Sequence, residues 1–124
     1  MALANNVMNG AHVSAGTAQA INGNNVNLTV TAAGTTRATA TALTADVNVV
    51  TTATSLQGVS LYSGMPGDSQ IVYNATTVPI YVYPSSATIA INQLAAGSGF
   101  VLASYTGAEI WTISSTKMLG FLSA

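Results

Sequence analysis

Between Met65 and Ser86 the chain reads MPGDSQIVYNATTVPIYVYPSS, two apolar runs set between residues that fix the direction of the backbone. In Met65-Pro66-Gly67-Asp68 the proline presets φ at about −65° and the glycine accepts the positive φ that follows, the requirement of a type II turn. Gln70 to Ala75 then reads as a strand and Asn74 to Thr77 as a polar loop. Val78 to Tyr83 returns with Ile80 and Val82 on one face and Tyr81 and Tyr83 on the other. The spacing predicts a β-hairpin ended by Pro84. Because Pro79 and Pro84 have no N–H to give a ladder, the second strand is expected at a sheet edge, or paired on one side over a few residues.

A chain of 124 residues forms one domain with one core. Only 4% of its residues are charged, against about 25% in an ordinary soluble domain. With 49% hydrophobic residues and a mean hydropathy of +0.47, disorder is excluded, and so uncharged a surface predicts a permanent oligomer or a place in a larger shell. The net charge is −1, and Arg37 and Lys117 are the only basic residues, too few to neutralise a row of phosphates, so no nucleic-acid partner is expected. Without cysteine there is no disulfide, thiolate metal site or thiol nucleophile. No window supplies the roughly 20 apolar residues of a membrane helix. Met1 to Val13 lacks the basic residues and apolar run of a secretory signal, so synthesis and assembly in a cytoplasm, away from membranes, are expected.

Residues 1–25 mix small residues with Asn and Gly and hold no sustained period; they read as an extended arm lying along a neighbour, or as a frayed terminus. From Val26 the period becomes two, with Val26, Leu28 and Val30 alternating with Asn27, Thr29 and Thr31. Thr35 to Ala45 alternates Thr with Ala, too small for a thick core, and Asp46 to Thr52 is β-branched. Ile89 and Ile91 share a face. Phe100 to Tyr105 and Glu109 to Ser114 read as a pair across Thr106-Gly107-Ala108, and Met118 to Leu122 as a last segment suited to pairing with another chain. About eight short strands separated by Gly, Pro and Asn predict an all-β fold over residues 26–124. That fold is an antiparallel β-sandwich or barrel with an extended N-terminal arm and no long repeat.

The chemistry is sparse. Asp46, Asp68 and Glu109 are the only acids, and two carboxylates about 5–10 Å apart are enough for glycoside hydrolysis. Turn and surface roles explain all three without catalysis, with Arg37 and Lys117 as their natural partners. His12 is the sole histidine, on the arm, which leaves a metal site or a nucleophilic triad without its other members. Gly97-Ser98-Gly99 lacks the following helix and lysine of a phosphate cradle and reads as a tight turn. No catalytic residue, cofactor or metal is expected. The aromatic residues Tyr62, Tyr73, Tyr81, Tyr83, Tyr105 and Trp111 remain. Tyr81 and Tyr83 serve cross-strand packing on the outer side of a sheet, a protein contact or a glycan platform, and Trp111 is expected in the core. Asn27-Leu28-Thr29 and Asn74-Ala75-Thr76 match the glycosylation sequon but read as strand and turn residues.

The order of motifs carries a resemblance. GDSQIVYNATTVPIYVYPSSATIAINQLAAGSGFVLAS followed by Trp111, and TAAGTTRATATALTADVNVVTT upstream, together resemble a module of small virion proteins of tailed bacteriophages and prophages. It covers roughly Leu28 to Ile113. The chain departs from the pattern at Asn92-Gln93, where Asn-Gly is common, and at Pro84-Ser85, where a second Pro often stands; both bear on turn types. The resemblance implies a structural protein on the capsid surface of a virion, decorating or cementing the capsid as a homotrimer bound to the major capsid protein. Tyr81, Tyr83, Arg37, Lys117 and Phe121 are the candidate interface residues. The alternative it implies is a host-glycan-binding module of a tail fibre or spike, using the Tyr81 and Tyr83 face.

Overall fold

The computed structural model describes residues 24–123, which form ten strands in two sheets and no helix. In chain order these are β1 (Asn24–Thr31), β2 (Thr41–Ala42), β3 (Ala45–Thr52), β4 (Gly58–Ser60), β5 (Ser69–Asn74), β6 (Ile80–Tyr83), β7 (Ala90–Ile91), β8 (Phe100–Leu102), β9 (Gly107–Ser114) and β10 (Lys117–Leu122). One sheet, sheet A, has the order β1-β3-β5-β9-β10-β7 and the other, sheet B, β2-β4-β6-β8. The arm expected over residues 1–25 lies outside the described residues, except that Asn24 and Asn25 already belong to β1.

The architecture is all-β, but it is a β-solenoid rather than a sandwich or barrel. From β1 to β6 the chain crosses to the other sheet at every strand, and each strand lies parallel to the one a full circuit earlier: β1 with β3 and β3 with β5, β2 with β4 and β4 with β6. The antiparallel expectation fails here because short strands bounded by turn residues read the same whether the turn folds a strand back on its predecessor or sends it to the opposite sheet. The coil then reverses. β8 runs antiparallel to β6 and β9 to β5, and sheet A continues through β10 to β7. A structural repeat of three rungs is therefore present where the sequence shows no long repeat.

The stretch from Met65 to Ser86 follows this rule. Its turn is as predicted: the Asp68 N–H donates to the Met65 carbonyl at 2.9 Å, and Gly67 has φ +95°. Its two strands are not a hairpin, because β5 lies in sheet A and β6 in sheet B. Nor is β6 at an edge; it pairs with β4 on one side and β8 on the other, with Pro79 and Pro84 just outside it. Asn74 explains the crossing. Fully buried, it donates from Nδ2 to the carbonyls of Val78 (2.8 Å), Leu102 (3.1 Å) and Ala103 (3.2 Å), while its Oδ1 accepts from Thr76 N (3.0 Å) and Oγ1 (2.7 Å). The bend that carries the chain between sheets is thus satisfied from inside, as buried backbone groups require. This also gives Asn74 and Thr76 the end-of-strand and turn roles expected of them.

Other pairings differ in the same sense. Phe100 to Tyr105 and Glu109 to Ser114 fall in different sheets as β8 and β9, and Met118 to Leu122 pairs with β9 of its own chain as β10. Of Thr35 to Ala45, only Thr41–Ala42 forms a strand before β3; Gly34, at φ +63°, starts the turn that precedes it. Val26 and Leu28 are exposed while Val30 is buried, since a register shift between Asn27 and Val30 breaks the alternation.

The core fills the space between the sheets. Val30, Val50, Val72, Ile110 and Met118 face it from sheet A, and Val59, Ile80, Val82 and Leu102 from sheet B. Rungs stack like on like, Val30 on Val50 and Val59 on Val82. At roughly 1.5–3 kcal/mol for each such side chain, burial is the main stabilising term in a chain without disulfides. Three amides sit among these side chains. Gln70, 1% exposed, clamps the loop after β4 by accepting from Tyr62 N and donating to Tyr62 O, both at 2.9 Å; Asn48, which donates to the Ala45 carbonyl at 2.8 Å, and Asn74 are the others.

Candidate interaction face

The solenoid presents an outer face on each sheet, and register decides which side chains share it. On sheet A the partners run Val26 to Val47, Val47 to Ile71, Ile71 to Glu109 and Glu109 to Phe121, one row across five strands. A neighbouring row sets Ser69 beside Trp111 and Trp111 beside Leu119. Their sequence neighbours Val72, Ala108, Ile110 and Met118 point into the core, so these rows point out. Phe121 is 59% exposed, Val26 55%, Ile113 47% and Trp111 36%.

The only charge in these rows is Glu109, and its Oε1 accepts the Trp111 Nε1–H at 3.0 Å. The contact ties the indole N–H to that carboxylate while the residue stays partly exposed. Trp111, expected in the core, is therefore on the surface; the inward positions beside it are held by Ile110 and by Thr112. In β5 the polarity is inverted, with Gln70 and Asn74 inward and Ile71 and Tyr73 outward. That inversion hides the face from a reading that sends apolar residues inside.

Sheet B treats its aromatics otherwise. Tyr81 and Tyr83 share its outer face as predicted, stacked with ring centroids 5.6 Å apart and planes 24° apart. Tyr83 is nevertheless only 8% exposed. Its ring lies over Gly58 and Gly99, where an added Cβ would come within 2.5 Å and 2.8 Å of ring carbons, and its hydroxyl donates to the Thr35 carbonyl at 3.0 Å. Burial, reinforced by Tyr81, raises the Tyr83 phenol above its ordinary pKa.

The five interface candidates are thus dispersed. Phe121 belongs to the sheet A face, Tyr81 and Tyr83 to the sheet B face, and Arg37 is half-buried in the turn between β1 and β2. Lys117 opens β10 and donates to the Asn92 carbonyl rather than to a carboxylate. The acids are also engaged locally: Asp46 accepts from the Tyr62 hydroxyl at 2.5 Å, and Asp68 Oδ2 from Met65 N at 2.9 Å. Burial and then Asp46 push the Tyr62 phenol well up. Among the described residues no group of three His, Asp or Glu side chains is placed to hold a metal ion. A cleft of about 270 Å³ beside the Met65 turn is lined by Ser63, Ser85, Thr112, Ser114 and apolar side chains, with no ionisable group. His12 lies outside the described residues.

No family model, curated protein or solved structure matches the chain.

Proposed function

We propose that the protein is a structural virion protein of a tailed bacteriophage that decorates or cements the capsid, as a homotrimer bound to the major capsid protein. The outer face of sheet A carries this reading. It is a surface across five strands whose cross-strand row holds Val26, Val47, Ile71 and Phe121 and one carboxylate already occupied by Trp111. Charge depletion with Trp, Phe and Tyr at the centre is the composition of a contact core. An exposed apolar face of this kind on a chain with 4% charge favours association over solitude. The motif order from Leu28 to Ile113 supplies the virion context. The glycan-binding alternative relied on Tyr81 and Tyr83, and burial of the Tyr83 ring against Gly58 and Gly99 makes it the weaker reading.

Light scattering of the purified protein and co-sedimentation with undecorated capsids test this directly. A trimer that binds capsids, and loses capsid binding when Phe121→Lys is introduced, is the expected result. A monomer at micromolar concentration, or a Phe121→Lys protein that binds as the parent does, overturns the assignment.

A further inference from the structure

Among the described residues three buried side-chain atoms have no hydrogen-bond partner: Asn48 Oδ1, Ser85 Oγ and Thr112 Oγ1. The two hydroxyls belong to residues that line one cavity, the cleft of about 270 Å³ beside the Met65 turn. A buried hydroxyl without a partner is a standing cost to the fold, and two of them on one cleft call for a partner supplied from outside the chain. Thr112 is the sharper case. It is 3% exposed, and both of its backbone groups are spent on the turn: its N–H donates to the Asp68 carbonyl at 2.9 Å, and its carbonyl accepts from Gly67 N at 2.8 Å. Gly64 passes so close that an added Cβ would stand 3.1 Å from Thr112 Oγ1. Valine has nearly the same shape as threonine, so packing at this inward position does not ask for the hydroxyl.

The lining selects the chemistry of an occupant. Hydroxyls come also from Ser63, Ser114 and Ser115, and apolar surface from Pro66, Ile89 and Met118. With no ionisable side chain among these residues, a phosphate, carboxylate or amine entering the cleft would lose hydration and gain no counter-charge. A Ser or Thr hydroxyl has one hydrogen to donate and two lone pairs with which to accept, so it is best satisfied by a group that does both, as another hydroxyl does. The volume equals that of about nine waters, below the usual range of drug-sized ligands and on the scale of one sugar ring with its hydroxyls. Such a ring also carries a C–H face that suits the apolar wall.

We infer that this cleft binds one neutral sugar unit, whose hydroxyls pair with Ser85 and Thr112 and whose C–H face lies against Ile89 and Met118. Both protein oxygens are screened from bulk water, and the wall beside them is the turn in which Ser63, Met65, Pro66 and Gly67 are exposed. That turn is the wall that gives way as the sugar reaches the hydroxyls. The site is separate from the Tyr81 and Tyr83 face, and it does not rest on the capsid reading.

The test is a titration of the full chain, followed in its amide nuclear magnetic resonance spectrum, with glucose, galactose, mannose and N-acetylglucosamine, and with glucuronate as the charged control. Each is taken to about 100 mM, well above the millimolar Kd that so small a ligand reaches. At least one neutral sugar is expected to give saturable shifts confined to the Met65 turn, the bend at Ser85 and the turn between β9 and β10, with glucuronate binding at least about tenfold more weakly. Thr112→Val and Ser85→Ala are each expected to weaken the sugar about tenfold, yet to leave the urea midpoint of the free protein equal or higher, because each removes an unpaired hydroxyl. Methyl glycosides of the bound sugar distinguish the end of a glycan chain, which binds with its anomeric oxygen substituted, from a free sugar, which does not; either upholds the site. No saturable shift with any of the four sugars overturns the inference, as does glucuronate binding as tightly as glucose, or sugar binding unchanged in both variants. A lower midpoint for Thr112→Val overturns it too, since the hydroxyl would then have a partner in the free protein. No readout involves a capsid, so this inference and the capsid assignment can each fail alone.

Discussion

The two outer faces of the solenoid both carry aromatic rings, and they use them in opposite ways. On sheet B, Tyr83 is pressed onto Gly58 and Gly99 and tied by its hydroxyl to Thr35, so the ring stabilises its own chain. On sheet A, Trp111 and Phe121 stand 36% and 59% exposed, with Glu109 orienting the indole. An aromatic residue on a sheet surface therefore does not by itself mark a contact. What separates the two faces is the neighbour beneath the ring: Gly58 and Gly99 leave room for Tyr83 to be covered, whereas Trp111 is flanked by Ser69 and Leu119 and Phe121 by Glu109.

The largest effect expected from this contrast is at Tyr83. Replacing it with Ala removes a covered ring and leaves the space above two glycines empty, a loss of about 3–4 kcal/mol in unfolding free energy. Trp111→Ala, a larger truncation on the other face, is expected to lower the same quantity by less, about 1–2 kcal/mol, since the residue is 36% exposed where Tyr83 is 8%. Urea denaturation of the two variants decides it. Equal losses would erase the distinction between the faces.

Gly58→Ala comes next. Its Cβ would stand 2.5 Å from Tyr83 Cε2, so the ring must lift, at a cost of about 1–3 kcal/mol. Pairing it with Tyr83→Ala sharpens the argument: in the double variant the clash is gone, and the added cost of Gly58→Ala should fall to a few tenths of a kcal/mol.

These residues also show what was legible in the sequence. Strand content, the Met65 turn, the inward Ile80 and Val82 and the outward tyrosine pair all follow from period and turn chemistry, which are local. Topology was not local. Whether Asn74 and its neighbours close a hairpin or carry the chain to a second sheet depends on carbonyls supplied by Leu102 and Ala103, 28 and 29 residues away. The sheet A face stayed hidden for a related reason: Gln70 and Asn74 occupy inward positions because remote backbone groups satisfy them, and a single strand shows no sign of that. Of the interface candidates, only Phe121 lies on this face, on a segment whose apolar residues had been assigned to another chain.

The smallest effect concerns the phenols that the fold keeps protonated. Tyr62 is held up by burial and by its bond to Asp46, and Tyr83 by burial and Tyr81. Both folded-state pKa values lie above the unfolded value of about 10. Below that pH both states carry the proton, and the stability linked to these groups is fully present. As pH rises past it, the unfolded chain loses protons that the folded chain retains, so unfolding becomes progressively more favourable until the folded pKa is passed. Stability should therefore be flat from neutral pH to about 10 and decline above it. Tyr83→Phe keeps the ring on Gly58 and Gly99 and removes only the hydroxyl and its bond to Thr35, so at neutral pH the expected loss is about 1 kcal/mol. The same variant should show a shallower alkaline decline than the parent chain, because one late-titrating phenol is gone. Denaturation midpoints measured across the alkaline range, alongside ultraviolet titration of phenolate, test both statements. If Tyr83→Phe matches the parent in alkaline slope and in late-titrating phenol, the Tyr83 ring is not covered in solution, and the sheet B face regains its claim as a contact surface.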